Sequence, residues 1–169
     1  DTKVTRRNCV MLCGDTTCGK TFITAPLDGI YNAYPTPARD CRFPLAGIEQ
    51  GYEICLWQDF SPNPNLAFED YLKMFEHGTV LVTRPANGDK KRPNLKLKFD
   101  LGIVMTAEAK MQHPKGNGTK QKMMDKRFRF FYFTETISDK DLIQCEPCVA
   151  CAAQWYRSGS PDGKSPADQ

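Results

Sequence analysis

Apolar positions recur at helical spacing in one long stretch of this chain. Phe68, Tyr71, Leu72 and Phe75 fall at i, i+3, i+4 and i+7, with Glu69, Lys73 and Glu76 between them, which predicts an amphipathic helix. Asn63 suits the N-cap, Pro64 the first helical position, His77 the last turn and Gly78 the left-handed residue beyond it, giving a helix over 64–77. Elsewhere the period is two. Leu95-Lys-Leu-Lys-Phe-Asp-Leu101 alternates throughout, and Tyr52-Glu-Ile-Cys-Leu-Trp57 places Tyr52, Ile54 and Leu56 on one face and Cys55 and Trp57 on the other. Thr79 to Thr83 is β-branched and apolar, and the Asn-Gly pair before Leu95 predicts a hairpin with a long basic tip. Arg127-Phe-Arg-Phe-Phe-Tyr-Phe133 reads as a strand at the sheet centre. Short strands are expected at Cys9 to Cys13, Lys20 to Thr24 and Gln154 to Arg157, and a short helix opens at Ser138 and ends by Pro147. Residues 25–51 are dense in Pro and Gly, which limits them to helical turns near 28–33 and 45–50, and residues 110–126 read as a loop. The expected fold is α+β, an antiparallel sheet of four or more strands with one long and one short helix packed on it.

Composition adds cross-links to that picture. The chain has 169 residues and eight cysteines, read as a single domain over 1–157 with a flexible tail over 158–169. An even cysteine count this high favours an oxidising compartment, so Cys9, Cys13, Cys18, Cys41, Cys55, Cys145, Cys148 and Cys151 are all expected in disulfides. Three of them lie near each end of the chain, so bridges would staple the termini to one core, the pairing itself staying open. The chain starts at Asp1 without a leader, which suggests a removed signal segment, and Asn117-Gly-Thr119 is a glycosylation triplet. No apolar run approaches the roughly 20 residues of a membrane span.

Net charge is only +3 but unevenly spread: between Arg84 and Arg129 thirteen Lys or Arg face four acids. That surplus predicts an anionic partner, met by a basic face of Lys90, Lys91, Arg92, Lys96, Lys98, Lys115, Lys120, Lys122, Arg127 and Arg129. A pair of solvated hairpin loops explains the same surplus.

Candidate chemistry is sparse. Gly14-Asp-Thr-Thr-Cys-Gly19-Lys20-Thr21 matches the phosphate-binding pattern of a glycine loop, a lysine and a hydroxyl. That chemistry requires a helix starting at the lysine. Pro26 and the β-prone Phe22-Ile-Thr24 oppose one, and no apolar run ending in Asp stands out as a second magnesium strand. A disulfide-pinned turn through Cys18 is the preferred reading, with nucleotide binding at Lys20 kept behind it. Cys145, Cys148 and Cys151 have a spacing that zinc or an iron–sulfur cluster uses, but bridges to the N-terminal cysteines are preferred. No metal, no cofactor and no catalytic residue is therefore expected. His77 and His113 offer no nucleophilic pair, and nothing in their spacing singles out two acids from Asp59, Glu69, Asp70, Glu108 and Glu135. The 127–133 strand mixes basic and aromatic residues as a base-stacking surface does, yet reads better as core.

With its size, eight cysteines, expected antiparallel sheet, flanking helices and basic loops, the chain resembles the small cysteine-rich effectors of plant-pathogenic fungi. It is most similar in organisation to the LARS avirulence and avirulence-suppressing family. The resemblance implies secretion into the host apoplast, recognition by plant resistance proteins and no enzymatic activity. Trp155-Tyr156-Arg157 departs from the family's Trp-Arg-aromatic-basic order, so that motif's role is not carried over. The expected function is a non-enzymatic virulence or avirulence effector, a monomer that binds a host protein or receptor. The alternative is a secreted RNase-like or polysaccharide-active protein.

Overall fold

The computed structural model describes residues 9–37, 39–86, 93–111, 118–138, 140, 148–150 and 153. Residues 1–8, the hairpin tip at 87–92, most of the helix expected after Ser138, the strand expected at 154–157 and the tail lie outside them.

Five strands form one sheet in which every neighbouring pair is parallel. They are β1 (Cys9–Gly14), β2 (Ala33–Pro35), β3 (Ile54–Trp57), β6 (Gly102–Ala107) and β7 (Phe128–Phe133), ordered β2-β3-β6-β1-β7. Between β3 and β6 the chain makes a separate antiparallel pair, β4 (Thr79–Val82) and β5 (Leu95–Lys98), with Val80 opposite Leu97. Among the described residues three helices accompany them: α1 (Lys20–Ile30), α2 (Phe68–Phe75) and α3 (Gly118–Asp125). The architecture is mixed α/β, which corrects the expected antiparallel α+β sheet. The reason lies in burial on two faces. A parallel strand covered by helices on both sides reads as an unbroken apolar run rather than an alternation, and Cys9-Val-Met-Leu-Cys13 and Cys55-Leu-Trp57 are such runs. The clean alternation of Leu95 to Lys98 belongs to β5, half-buried on one side only.

On one face, Cys9, Met11 and Cys13 of β1 share a core with Cys55, Trp57, Ile103, Met105 and Phe128. Phe68, Tyr71, Leu72 and Phe75 of α2 and Val80 and Val82 of β4 cover that face. Leu12 and Leu56 point to the other face, where α1 packs against β1, β3 and β6 and buries Lys20, Thr24 and Leu27 at i, i+4 and i+7. That stripe explains why α1 forms where a strand over Lys20 to Thr24 is expected. Pro26 does lie inside it and removes one backbone bond, but its ring is buried too.

The 64–77 helix starts later than its cap signals suggest. Ala67 is the N-cap, while Asn63 Oδ1 accepts from the Asn65 amide at 2.8 Å and its Nδ2 donates to the Cys41 carbonyl at 3.0 Å. Asn63 and Pro64 thus make a turn of their own. Part of the loop expected at 110–126 is α3, held by Met124 in the core and by Lys110–Asp125 at 3.0 Å. The strand β7 is at the sheet edge, not its centre, with Phe131 52% and Tyr132 63% exposed.

The disulfide frame is also corrected. Cys9, Cys13, Cys18, Cys41 and Cys55 are free thiols, and no bridge joins two of the described residues, which exclude Cys145 and Cys151. Strand geometry separates Cys9 from Cys55 and from Cys13. Cys9 and Cys55 both align with Ile103 but on opposite sides of it, about 9–10 Å apart at the usual strand spacing and beyond the roughly 7 Å that a disulfide spans. Cys13 stands four residues along the same strand from Cys9, farther still. Burial pushes the Cys9 thiol up to about 12, with the Arg127 charge opposing, and raises Cys55 and Cys13 as well.

Candidate functional site

At the C-terminal end of β1 the chain reverses through Gly14 to Gly19 and enters α1 directly. A side chain is excluded at Gly14 by backbone and strained at Gly19 by the left-handed conformation. A Cβ at Gly14 would collide with the Phe133 carbonyl and lie 3.0 Å from Cys18 Sγ, and one at Gly19, where φ is +83°, would lie 2.6 Å from Ile137 Cδ1. Thr17 also takes positive φ, and its carbonyl accepts from the Ile137 amide at 2.9 Å. The chain leaving β7 therefore braces the loop.

Lys20, 6% exposed, is folded back inside the turn. Its Nζ donates to the Gly14 carbonyl at 2.7 Å and the Asp15 carbonyl at 2.5 Å, and lies 3.3 Å from Cys18 Sγ. Cys18 in turn donates to the Asp15 carbonyl at 2.9 Å. The first turn of α1 has no acidic residue, so its unpaired amides and the dipole behind them favour an anion. Thr21, directly after the lysine, is exposed.

The loop forms one wall of a cavity of about 790 Å³. The opposite wall comes from the chain after β3, at Asp59 to Pro62, and after β6, at Ala107 to Ala109. The two segments of this opposite wall are tied together by Thr106, fully buried one residue before the end of β6. Its Oγ1 accepts from the Asp59 amide at 2.9 Å and its carbonyl accepts from the Phe60 amide at 2.8 Å. Asp59 adopts φ 47°, and Phe60 stacks on Trp57 at 5.3 Å. Among five candidate acids the fold selects two: Asp59 and Glu108 line this cavity, while Glu69 and Asp70 sit on α2 paired with Lys120 and Lys73, and Glu135 is exposed beyond β7. The residues suit a magnesium–nucleotide by type: buried lysine, free-standing hydroxyl, two carboxylates and helix-start amides in one cleft.

Sequence reasoning misses β6 and with it Thr106, although Ile103-Val-Met-Thr106 is an apolar, β-branched run that signals a buried strand. The apolar run leading to Asp59 is present too, but Gln58 separates the acid from Trp57 and hides it.

The described residues of the expected basic face lie on several elements. Lys96 and Lys98 are exposed on β5, Lys122 on α3 and Arg129 on β7, while Lys120 pairs with Glu69. Arg127 is 5% exposed, pairs with Glu76 and donates to the Met123 carbonyl, a structural role. Lys90, Lys91, Arg92 and Lys115 lie outside the described residues, as does Asn117. Among the described residues no three His, Cys, Asp or Glu cluster for a metal, and no helix is long and apolar enough to cross a membrane.

No protein-family model and no curated protein matches this chain. Solved structures do. A crystal structure of JCV helicase bound to a thiazolopyridinyl-phenoxyphenyl acetamide superposes with a TM-score of 0.55 over 91% of this chain at 14% identity. A second JCV helicase structure covers 79% with a TM-score of 0.46 at 14% identity. The chain spans 41% and 36% of those chains, respectively. At this identity the first likeness speaks to fold alone.

Proposed function

We propose that this chain binds a nucleoside triphosphate with Mg²⁺ in the cleft between the Gly14–Gly19 loop and Asp59, and hydrolyses the terminal phosphate as a helicase-type motor module. The observation that carries the reading is the convergence of Lys20, Thr21, Asp59 and Glu108 on one cavity at the C-terminal ends of β1, β3 and β6, where open parallel sheets take their ligands. Lys20 exchanges its two carbonyl partners for phosphate oxygens. Thr21 and Asp59 would hold the metal, which when bound neutralises phosphate charge. The JCV helicase likeness supports the motor aspect by fold analogy only. The test is MgATP-dependent stabilisation and phosphate release, both removed by Lys20→Ala.

Exposed Lys96 and Lys98 on the β4–β5 hairpin support an anionic partner, which for a motor is a nucleic-acid strand. Lys96→Glu with Lys98→Glu should weaken binding to a labelled single-stranded oligonucleotide about tenfold or more and flatten its salt dependence; unchanged affinity would assign the hairpin elsewhere.

A secreted effector acting on a host stands as the rival proposal, with a secreted RNase-like or polysaccharide-active protein beside it. Both lean on a disulfide frame that is absent among the described residues, and no comparison identifies an effector family. Absence of any MgATP effect on the wild-type chain would favour them.

A further inference from the structure

We infer that Glu108 is the general base that activates the attacking water, with Asp59 confined to the metal side of the cleft. The inference rests on the nucleotide reading above and deepens it. Phosphoryl transfer to water requires two distinct services from the protein: oxygens that hold the metal beside the phosphates, and a separate group that orients and deprotonates the nucleophile. Two of the cavity's lining residues are carboxylates. The neighbours of Asp59 are Gln58 and Phe60, so β3 supplies one acid and cannot supply the pair.

The two acids are held in different ways. Asp59 is short and its backbone is pinned. Its amide donates to Thr106 Oγ1 at 2.9 Å, the next amide donates to the Thr106 carbonyl at 2.8 Å, and the following ring stacks on buried Trp57. A fixed backbone with a short carboxylate suits a ligand whose position must not vary. Glu108 stands one residue past the end of β6, longer by a methylene and exposed. Lys110, two residues on, is engaged with Asp125 at 3.0 Å and leaves Glu108 alone. The sheet order places β6 between β3 and β1, so Glu108 emerges between the strand that feeds the phosphate loop and the strand that feeds Asp59. From there Glu108 lines the cavity in which a terminal phosphate and water would meet.

The step balances without a further reactant. The water oxygen forms a bond to the γ-phosphorus as its proton passes to the Glu108 carboxylate. The bond from that phosphorus to the bridging oxygen breaks, and its electron pair leaves with the nucleoside diphosphate. Glu108 then returns the proton to the released phosphate or to solvent.

Glu108→Gln and Asp59→Asn in the full chain separate the roles. Binding of a fluorescent ATP analogue, with and without Mg²⁺, is measured beside steady-state phosphate release. Glu108→Gln should bind the Mg²⁺ complex within about threefold of wild type while turnover falls about 10²–10⁴-fold. Asp59→Asn should lose the Mg²⁺-dependent part of the affinity. Retained binding is also the evidence that Glu108→Gln is folded. Turnover of Glu108→Gln within tenfold of wild type, or a loss of Mg²⁺-dependent affinity like that of Asp59→Asn, overturns the assignment alone. A wild-type chain that binds no MgATP removes the nucleotide reading and the assignment with it.

Discussion

Lys20→Ala probes the proposed site from two directions, stability and ligand response. Without ligand the ammonium is enclosed by the Gly14 and Asp15 carbonyls and the Cys18 thiol. Truncation removes the ammonium from both carbonyls and leaves the Asp15 carbonyl the Cys18 thiol alone, at about 1–3 kcal/mol for a carbonyl left buried and unpaired. Asp15 is exposed and Gly14 half-buried, so water recovers much of this, and the net loss should be about 1–2 kcal/mol, or about 2–8 °C in Tm for a chain of this size. The ligand arm is larger. A lysine–phosphate contact worth about 1.5–3 kcal/mol corresponds to about 10–150-fold in Kd. At MgATP one hundred times the wild-type Kd, binding stabilises the wild type by about 2.7 kcal/mol, a Tm rise of about 5–11 °C. A variant weakened about a hundredfold retains only about 0.4 kcal/mol, close to 1 °C. Differential scanning fluorimetry with and without MgATP reads both quantities on one plate. A wild type that does not respond, or a variant that responds as the wild type does, would refute the reasoning.

Two further outcomes follow from the same geometry. Thr106→Val keeps the shape but removes the acceptor for the Asp59 amide, so turnover should fall while Thr106→Ser restores it; equal turnover of the two variants would show that the bond positions nothing. Burial raises Cys9 from an ordinary 9.0 to about 12 and shifts Cys55 the same way. The folded chain then holds protons that the unfolded chain releases, so stability is complete below pH about 9 and declines as pH rises toward 12. Urea midpoints measured between pH 8 and 11 should decrease, and a flat profile would contradict the burial of these thiols.

What the sequence discloses depends on how many faces an element buries. The α2 stripe and the β4–β5 hairpin each bury one side, so their periodicity is plain, and both are found close to where the pattern places them. The strands β1 and β6 bury two sides and lose their period, and β3, apolar on both faces from Ile54 to Trp57, shows a strand but not the sign of its pairing. The helix α1 is hidden for another reason. Pro26 and the β-prone Phe22-Ile-Thr24 are local signals, whereas the docking of Lys20, Thr24 and Leu27 against the sheet is tertiary and outweighs them. The glycine-lysine loop is legible residue by residue, but its partners Asp59 and Glu108 lie 39 and 88 positions past Lys20, and only the sheet order brings them together. Cysteine number does not disclose cross-links here, because Cys9, Cys13 and Cys55 serve as small apolar core residues.

The Phe133 carbonyl and the Ile137 side chain occupy the space where the two loop glycines would otherwise bear a methyl group. The Gly14–Gly19 loop and the exit of the edge strand therefore share one wall. Were the loop to rearrange around an anion, as the proposed function requires, that exit would have to shift with it, and tension applied at residue 137 would act in reverse on the loop. On the proposed reading the edge strand would serve as a lever arm for the cleft.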